Sequence, residues 1–493
     1  MATPTKSTTG STDTFVIALL DDAGTGLRKD EQGNFNLSEF VVQLIIETSI
    51  DFPCIRGKLV LKDSGNLIGS LIGGEYWQIV VKTPTQSSAT TYILQCHAIT
   101  DRITRDKTNI FTVHLVSPEF LSNEIANVFG PYKDKPFSDY VKDLVKNAPT
   151  WEKASSTTPK TSKKQTTGNN KQNSTPPEMS GLKSTKAVHV EKTKGKPQFV
   201  IPNWRPLDTI AWMAKHAIRE KSKTGKDDIP QSGFIFFENE LGFHFKSLDE
   251  LIEQAAKSKD CYRYSLAPKK LSSVSPEDQF KITRINYPQT FDLLSNLRNG
   301  IYSGYSMTLN LQSLQDSKMS GDSKDLPFTT GTYFLEKAYG QMSHLASKAS
   351  LPVKTKGPLK NFTSIPKRIH FGFSPDYLYS KMDPKKPDKY EKNPQQQKND
   401  AQSNPSARLY GSMRRLVLEM IQVQIDIPGN LDLRCGEGVE LWIPKSRQKT
   451  ENEKDEVYSG RYLVAGVKHV FNLQSCTTSV MCYKDYIPSS ADI

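Results

Sequence analysis

Nucleophilic catalysis, metal binding and phosphate binding each demand particular residues at particular spacings, and this chain offers few of them. Its six cysteines, Cys54, Cys96, Cys261, Cys435, Cys476 and Cys482, are scattered. With no Cys-x-x-Cys and no histidines paired at ligand spacing, they read as small buried thiols rather than metal ligands or disulfides. Gly24-Thr25-Gly26 lacks the third glycine and the flanking βα unit of a dinucleotide site, and so reads as a turn. Cys96 and His97 are adjacent, but neighbours on a strand point to opposite faces and cannot act as nucleophile and base. P-loop, zinc-protease, nucleophile-elbow and EF-hand spacings are absent. The expectation is therefore no catalytic, cofactor-binding or metal-binding residue, and a protein that is not an enzyme.

What remains is polar chemistry on strand faces. In Phe40 to Ile50, Val42, Leu44, Ile46 and Ile50 alternate with Gln43, Glu47 and Ser49. In Leu416 to Ile427, Val417, Ile421, Val423, Ile425 and Ile427 share one face and Gln422, Gln424 and Asp426 the other, as period-two pleating requires. Gln43, Glu47, Gln422, Gln424 and Asp426 are the candidate lumen- or solvent-facing residues.

The elements that position them form two similar arrays. Ile55 to Lys62, Trp77 to Lys82, Tyr92 to Thr100 and Ile110 to Ser117 follow the first candidate strand; Val439 to Ile443, Arg461 to Phe471 and Thr477 to Tyr483 follow the second. Gly65-Asn66-Leu67 with Gly74 matches Gly429-Asn430-Leu431 with Gly438, and each later glycine precedes a strand holding a tryptophan, Trp77 or Trp442. An internal repeat is the reading these matches favour over a coincidence of small β domains.

Between the arrays the pattern turns helical. Glu119 to Phe129 and Phe137 to Asn147 are amphipathic, the second with Ser138 as a cap. Leu207, Ile210, Ala211, Ala214 and Ile218 carry helical spacing behind Pro206. Gly233 to Phe237 and Gly242 to Phe245 form an aromatic hairpin, and Ser247-Leu248-Asp249-Glu250 has the capping-box pattern. Trp204, Trp212 and Phe234 to Phe237 read as the core of this unit.

The fold class expected is α+β, mainly β. Residues 1–12 are a disordered N-terminus and 13–118 the first β domain. Residues 119–150 and 198–277 make a small α/β domain, and 151–197 a disordered Lys/Ser/Thr-rich linker. Residues 278–312, with strands at Phe280 to Ile285 and Tyr302 to Leu311, and 404–487 make the second β domain, interrupted by an insertion at 313–403 that is compact around Phe334 to Met342.

The formal net charge of the 493 residues is +12, which invites a nucleic-acid reading. Residues 150–197 hold ten Lys against three Glu, and 381–399 six Lys against three acids, so the remainder is close to neutral. The basicity thus belongs to linkers, and no strand interleaves aromatic and basic residues as a single-strand platform does. No span of about twenty apolar residues occurs, so no membrane-spanning segment is expected. Met1 to Asp13 lack an apolar signal segment, which places the chain in the cytoplasm where it is made.

The order of parts, with W-x-P-L-D-x-I-A-W-M-A at Trp204 to Ala214 and F-I-F-F-x-x-x-L-G-F-H-F at Phe234 to Phe245, resembles the central baseplate hub proteins of contractile-tailed bacteriophages. These are the T-even-type hub subunits and the related late-control D and VgrG proteins. The resemblance spans about 12–150, 198–312 and 404–487; the linker at 151–197 and the insertion at 313–403 depart from it. It implies two tube-type antiparallel β-barrel domains of similar fold per chain, and a homotrimer whose six domains make a pseudo-sixfold ring with a central channel. The implied partners are a trimeric central spike, the tail tube or a tube-initiator protein and inner baseplate wedge proteins, with DNA in transit only. The implied location is the virion tail baseplate, assembled in the host cytoplasm. The alternatives are a tail-associated surface- or carbohydrate-binding adhesin, and a peptidoglycan hydrolase, for which no acidic cleft is visible.

Overall fold

The computed structural model describes residues 11–148, 180–221, 229–266, 280–310, 315–316, 338–351, 368–373 and 405–488, less short stretches at 22–23, 25, 28, 31–32, 35–36, 64–70, 85, 106–107, 289–291, 301–303, 446–452 and 473–474. The chain is α+β and mainly β. Six of the first eight strands pair in the large sheet: β1 (Thr14–Leu19), β4 (Val41–Ser49), β5 (Arg56–Asp63), β6 (Tyr76–Lys82), β7 (Thr90–Arg105) and β8 (Thr108–Val116). A small ladder of β2 (Lys29–Asp30) and β3 (Gly33–Asn34) lies outside that sheet. Alternation does the work here: Leu44, Ile46, Leu59, Leu61, Trp77, Ile79 and Val113 face one core and are fully buried.

A helix at Pro118–Ile125 follows, then β9 (Val128–Tyr132), so the expected helix to Phe129 stops short and its last residues pair with a later strand. The helix Phe137–Lys146 has Pro136, not Ser138, at its N-cap; the Ser138 amide donates to Thr193 Oγ1 at 3.0 Å instead. Residues 180–197 correct the expectation of a disordered linker running to 197. Leu182 is buried in the α/β core, its amide donates to the Leu144 carbonyl at 2.8 Å, and β10 (Val188–Val190) adds in parallel to the strand Gly242–Ser247. Three apolar anchors are enough to order a segment whose average composition is polar. The residues expected to be disordered at 1–10 and 151–179 lie outside the described residues.

The rest of this unit is β11 (Phe199–Trp204), the helix Pro206–His216, the hairpin of β12 (Phe234–Asn239) and β13 (Gly242–Ser247), and the helix Leu248–Lys257. Ser247 Oγ accepts from the Glu250 amide at 3.1 Å, as the capping pattern requires. Trp212 sits against Phe137 and Phe199 at the unit's core, and Trp204 against Trp212.

The second array comprises β14 (Tyr262–Ser265), β15 (Arg284–Asn286), β20 (Ile421–Pro428), β21 (Gly438–Trp442), β22 (Gly460–Asn472) and β23 (Ser475–Lys484). The strand expected at Tyr302 to Leu311 is β16 (Gly304–Asn310), but it belongs to a separate three-stranded sheet. There it pairs with β17 (Gln315–Asp316) and, in parallel, with β19 (Arg368–Phe373). Leu416 to Leu418 are not strand either: they end a helix, Pro405–Leu418, whose Met413 and Val417 pack on Ala338, Tyr339 and Met342 of the insertion. Phe334 lies outside the described residues. Finally β18 (Ala349–Ser350) pairs with β24 (Ile487–Pro488), tying the insertion to the last described strand.

The two arrays have one plan. Spatial order in the first is β1-β6-β7-β8-β5-β4, and in the second β14-β21-β22-β23-β20-β15. One bulge matches, at His97 between paired Cys96 and Ala98 and at Ala465 between paired Val464 and Gly466, while β7 carries a second irregularity between Thr100 and Ile103 that β22 lacks. One connection differs: β1 runs antiparallel to β6, whereas β14 is parallel to β21. The Gly65-Asn66 turn of the sequence match lies outside the described residues. Its partner Gly429 is tightly placed, since a Cβ there would lie 2.5 Å from the Cys476 Cβ.

Neither ladder closes on itself among the described residues. Instead β4 pairs antiparallel with β22 from Gln43 opposite Asn472 to Ser49 opposite Gly466, fusing both arrays into one twelve-stranded sheet. Phe471, fully buried, crosses this seam to sit in the first array's core 6.1 Å from the Phe15 ring.

Candidate functional site

The sheet has one face toward the two cores and one polar face, and the seam keeps the faces in phase. Register places Arg56, Glu47, Lys468, Ser479, Asp426 and Arg284 opposite one another in turn on β5, β4, β22, β23, β20 and β15. At about 4.8 Å per strand this row is about 24 Å wide. Glu47 bridges Arg56 at 3.4 Å and Lys468 at 3.1 Å, so one carboxylate ties both arrays together, while Asp426 holds Arg284 at 2.7 Å.

All five candidate residues lie on this face, in two groups separated by β22 and β23. Gln43 Nε2 donates to Asn472 Oδ1 across the seam at 3.3 Å, and Gln424 Nε2 to Ser479 Oγ at 3.0 Å. Gln422 turns to the Glu419 carbonyl at 3.1 Å. The charged residues between and beside the groups, Lys468 on β22 and Arg284 on β15, are ones that sequence reasoning did not single out. Lys468 is legible as a polar alternate within Val467 to Phe471; Arg284 is not, because its strand is three residues long. These half-exposed ion pairs each contribute about 0–1 kcal/mol, so they set charge and register rather than stability.

Strong electrostatics lie beneath the sheet, where the α/β unit docks. Glu238 is fully buried and accepts from the Ser117 hydroxyl at 2.5 Å and the Ile55 amide at 3.1 Å; Lys186 lies 2.6 Å from it and 2.7 Å from Glu119. Burial pushes the Glu238 carboxyl up, and the Lys186 charge opposes this. Arg219 is held by Glu191 at 2.5 Å, Glu250 at 2.8 Å and Glu253 at 3.0 Å. Arg414, also fully buried, lies 3.2 Å from Asp249 and 3.1 Å from Asp485, and His344 of the insertion approaches Asp485 at 3.0 Å. Each of these groups has a partner across an element boundary, which is the pattern of a joint rather than of a reacting centre.

The chemistry sought in the sequence is placed accordingly. Cys96 is buried and His97 exposed, with burial raising the thiol and lowering the imidazole. Gly24 has φ +69° and its amide donates to the Asp21 carbonyl at 2.9 Å, a turn. An open cleft of about 540 Å³ is lined by His344, Glu440, Arg461 and Tyr486. Its charged groups are engaged: Glu440 with Arg263 at 2.8 Å, and Arg461 with the carbonyls of Ala255 and Ala256. Among the described residues no three His, Cys, Asp or Glu side chains are grouped to hold a metal ion, and no helix is long and apolar enough to cross a membrane.

No protein-family model matches the chain. No curated protein matches it either. Among solved structures the chain is similar to a tail protein from Neisseria meningitidis MC58, with 10% identity, TM-score 0.45 and 96% and 97% of the two chains covered. It is similar to the 43 kDa tail protein of prophage MuSo2 from Shewanella oneidensis, with 9% identity, TM-score 0.45 and coverage of 96% and 99%. A chain of the Francisella PdpA-VgrG complex aligns with 9% identity and TM-score 0.42, over 99% of this chain and 55% of that one.

Proposed function

We propose that the chain is a structural hub protein of a contractile tail. Three copies form a pseudo-sixfold ring that joins a hexameric tail tube, or its initiator, to a trimeric central spike, within a frame of inner wedge proteins. The observation that supports this most is the repeated strand order, β1-β6-β7-β8-β5-β4 and β14-β21-β22-β23-β20-β15, joined edge to edge through β4 and β22. A chain carrying two equivalent units in one continuous sheet turns a threefold axis into six similar positions. The polar face, with Gln43, Glu47, Gln422, Gln424 and Asp426, then lines the channel through which DNA passes. Its neutral and internally paired groups limit phosphate binding, which comes from free Lys and Arg. The protein is a component of the virion tail baseplate in this reading.

Size-exclusion chromatography with light scattering tests it. The expected mass is three times the 55.4 kDa chain, or a trimer that appears when a trimeric spike is added. A strictly monomeric protein at high concentration that also fails to bind a spike refutes the proposal. A map of the trimer with the five residues directed away from the axis refutes the lumen assignment alone.

A further inference from the structure

The seam inside the chain shows how one array receives the edge of another. In β22 the neighbour β21 covers only Gly460 to Leu463, and β4 pairs with the remainder, Gly466 to Asn472. The counterpart of β22 is β7, which is built the same way. Its neighbour β6 covers Thr90 to Gln95, while along Ala98 to Arg105 no strand pairs on that side among the described residues. The counterpart of β4 is β15, which pairs with β20 on one edge and with no described strand on the other. The first array thus keeps an unfilled receiving edge, and the second an undelivered one.

Exposure marks the same place. Val470, beside β4 at the internal seam, is half-buried. Its counterpart on β7, Ile103, is 61% exposed. An apolar residue left open on an unpaired strand edge is what a missing neighbour would cover.

We infer that β15 of one copy adds antiparallel to the outer half of β7 of a second copy, repeating between chains the seam that β4 and β22 make within one. This rests on the ring reading and names its interface. The register follows from the matched bulge at His97 and Ala465, counted along β8 and β23 so that it passes the extra residue β7 carries between Thr100 and Ile103. Counting paired residues from it puts Ile103 where Val470 stands, and counting across β5 and β20 puts Asn286 where Ile45 stands. The internal pair Ile45 opposite Val470 therefore becomes Asn286 opposite Ile103, and Ile285 falls opposite Thr104. Arg284 falls opposite Arg105, with Asp426 already offsetting the Arg284 charge. The contact is head-to-tail, so each copy gives one edge and receives one, and a ring closes without leaving any of these edges free.

Paired cysteines test the register. In a Cys261→Ser background, whose other native thiols are buried, Ile45→Cys with Val470→Cys is the same-chain control. Asn286→Cys with Ile103→Cys is the test pair, and Asn286→Cys with Thr100→Cys is out of register. Under mild oxidation the test pair should give a ladder of covalent dimers and trimers on a non-reducing gel, at least fivefold stronger than the out-of-register pair. Light scattering of the unoxidised samples separates the failures. A trimer in which the two pairs cross-link equally overturns the pairing and leaves the ring standing; a monomer with no cross-link overturns both. A second variant, Ile103→Lys, changes an exposed side chain and should keep the melting temperature within a few degrees while weakening trimer formation at least tenfold. Unchanged trimer formation by that folded variant also overturns the pairing.

Discussion

Replacing Arg414 by methionine should be among the most damaging single changes in the chain. The guanidinium and both of its carboxylate partners, Asp249 and Asp485, are fully buried. Without the cation, Asp249 keeps the Tyr410 hydroxyl at 2.7 Å and the Ser343 amide at 3.0 Å, and Asp485 keeps His344 at 3.0 Å. The hydroxyl and the amide do not neutralise the buried Asp249 charge, and removing one partner of such a pair costs about 3–5 kcal/mol. The Ser343 carbonyl also loses its donor, Arg414 Nη2 at 2.7 Å; an orphaned acceptor adds about 1–3 kcal/mol. Against a usual stability of about 5–15 kcal/mol, about a quarter or more is lost.

Urea unfolding followed by tryptophan fluorescence measures this, urea being uncharged and so leaving ion pairs unscreened. Adding Asp249→Asn and Asp485→Asn to Arg414→Met should recover much of the loss, because the uncompensated charges go with their partner. Acid sharpens the test. Burial raises the Asp485 carboxyl, but the His344 hydrogen bond and the Arg414 charge outweigh it and hold it below the usual range. A carboxyl so depressed stabilises the fold above the unfolded value of about 3.9, and that stability is lost as pH falls through the folded value. The wild type should therefore lose more stability below about pH 4 than Arg414→Met does. A loss under about 1 kcal/mol for Arg414→Met, or strict additivity with the aspartate changes, would refute the reasoning, since both follow only if the three charges act as a unit.

Two further outcomes follow. Burial pushes the Lys484 ammonium down to about 7, against the opposing Asp455 and Asp485 charges, while the group donates to the carbonyls of Val457 at 2.8 Å and Ser459 at 2.7 Å. Because the unfolded chain holds this proton up to about pH 10.4, wild-type stability should rise from about pH 7 to 10 by at most about 1.4 kcal/mol per unit. Lys484→Met should flatten that slope, and an unchanged slope assigns it to other groups. Phe471→Ala should cost about 3–5 kcal/mol, as for any fully buried phenylalanine, and should loosen the first array as well as the second. Hydrogen exchange that rises in β22 but not in β4 would show that the seam does not couple them.

Alternation made most of the large sheet legible, because a half-buried strand must place apolar residues at every second position. It reveals Gln43, Glu47, Gln422, Gln424 and Asp426 as a polar set without revealing their neighbours. Glu47 meets Lys468 only because β4 pairs with β22, more than four hundred residues away, and no local pattern carries that pairing. Where apolar residues run on without a break the period is ambiguous: Leu416, Val417 and Leu418 fit the strand that follows, yet they close a helix whose other face is set by the insertion. Composition misleads in the opposite sense at 180–197, where Leu182, Val188 and Val190 are outnumbered by lysines but one of those lysines, Lys186, is needed to neutralise Glu238. A charge-rich segment looks free only until its counter-charges are known.

The two arrays share a backbone plan but not a charge pattern, and the difference bears on what a ring of them can do. Counting across β8 and β23 sets Arg56 against Gln422, Lys58 against Gln424 and Val60 against Asp426. The β5 strand therefore presents a basic stripe where β20 presents a neutral to acidic one. In the proposed ring, backbone geometry repeats six times while charge repeats three times. A hexameric tube docking on strand ends and loops meets six similar positions, and a trimeric spike can be registered by the charge alternation. The same alternation keeps basic stripes apart along the channel wall. Each free lysine that engages a phosphate makes binding steeper in salt by about 0.9 on a logarithmic scale, so a continuous basic belt would hold DNA that has to move. Pairing Arg56 and Lys468 with Glu47, and Arg284 with Asp426, removes three of the face's cations from that role and leaves Lys58 and Lys62, both exposed on β5, to make whatever contacts the passing strand requires.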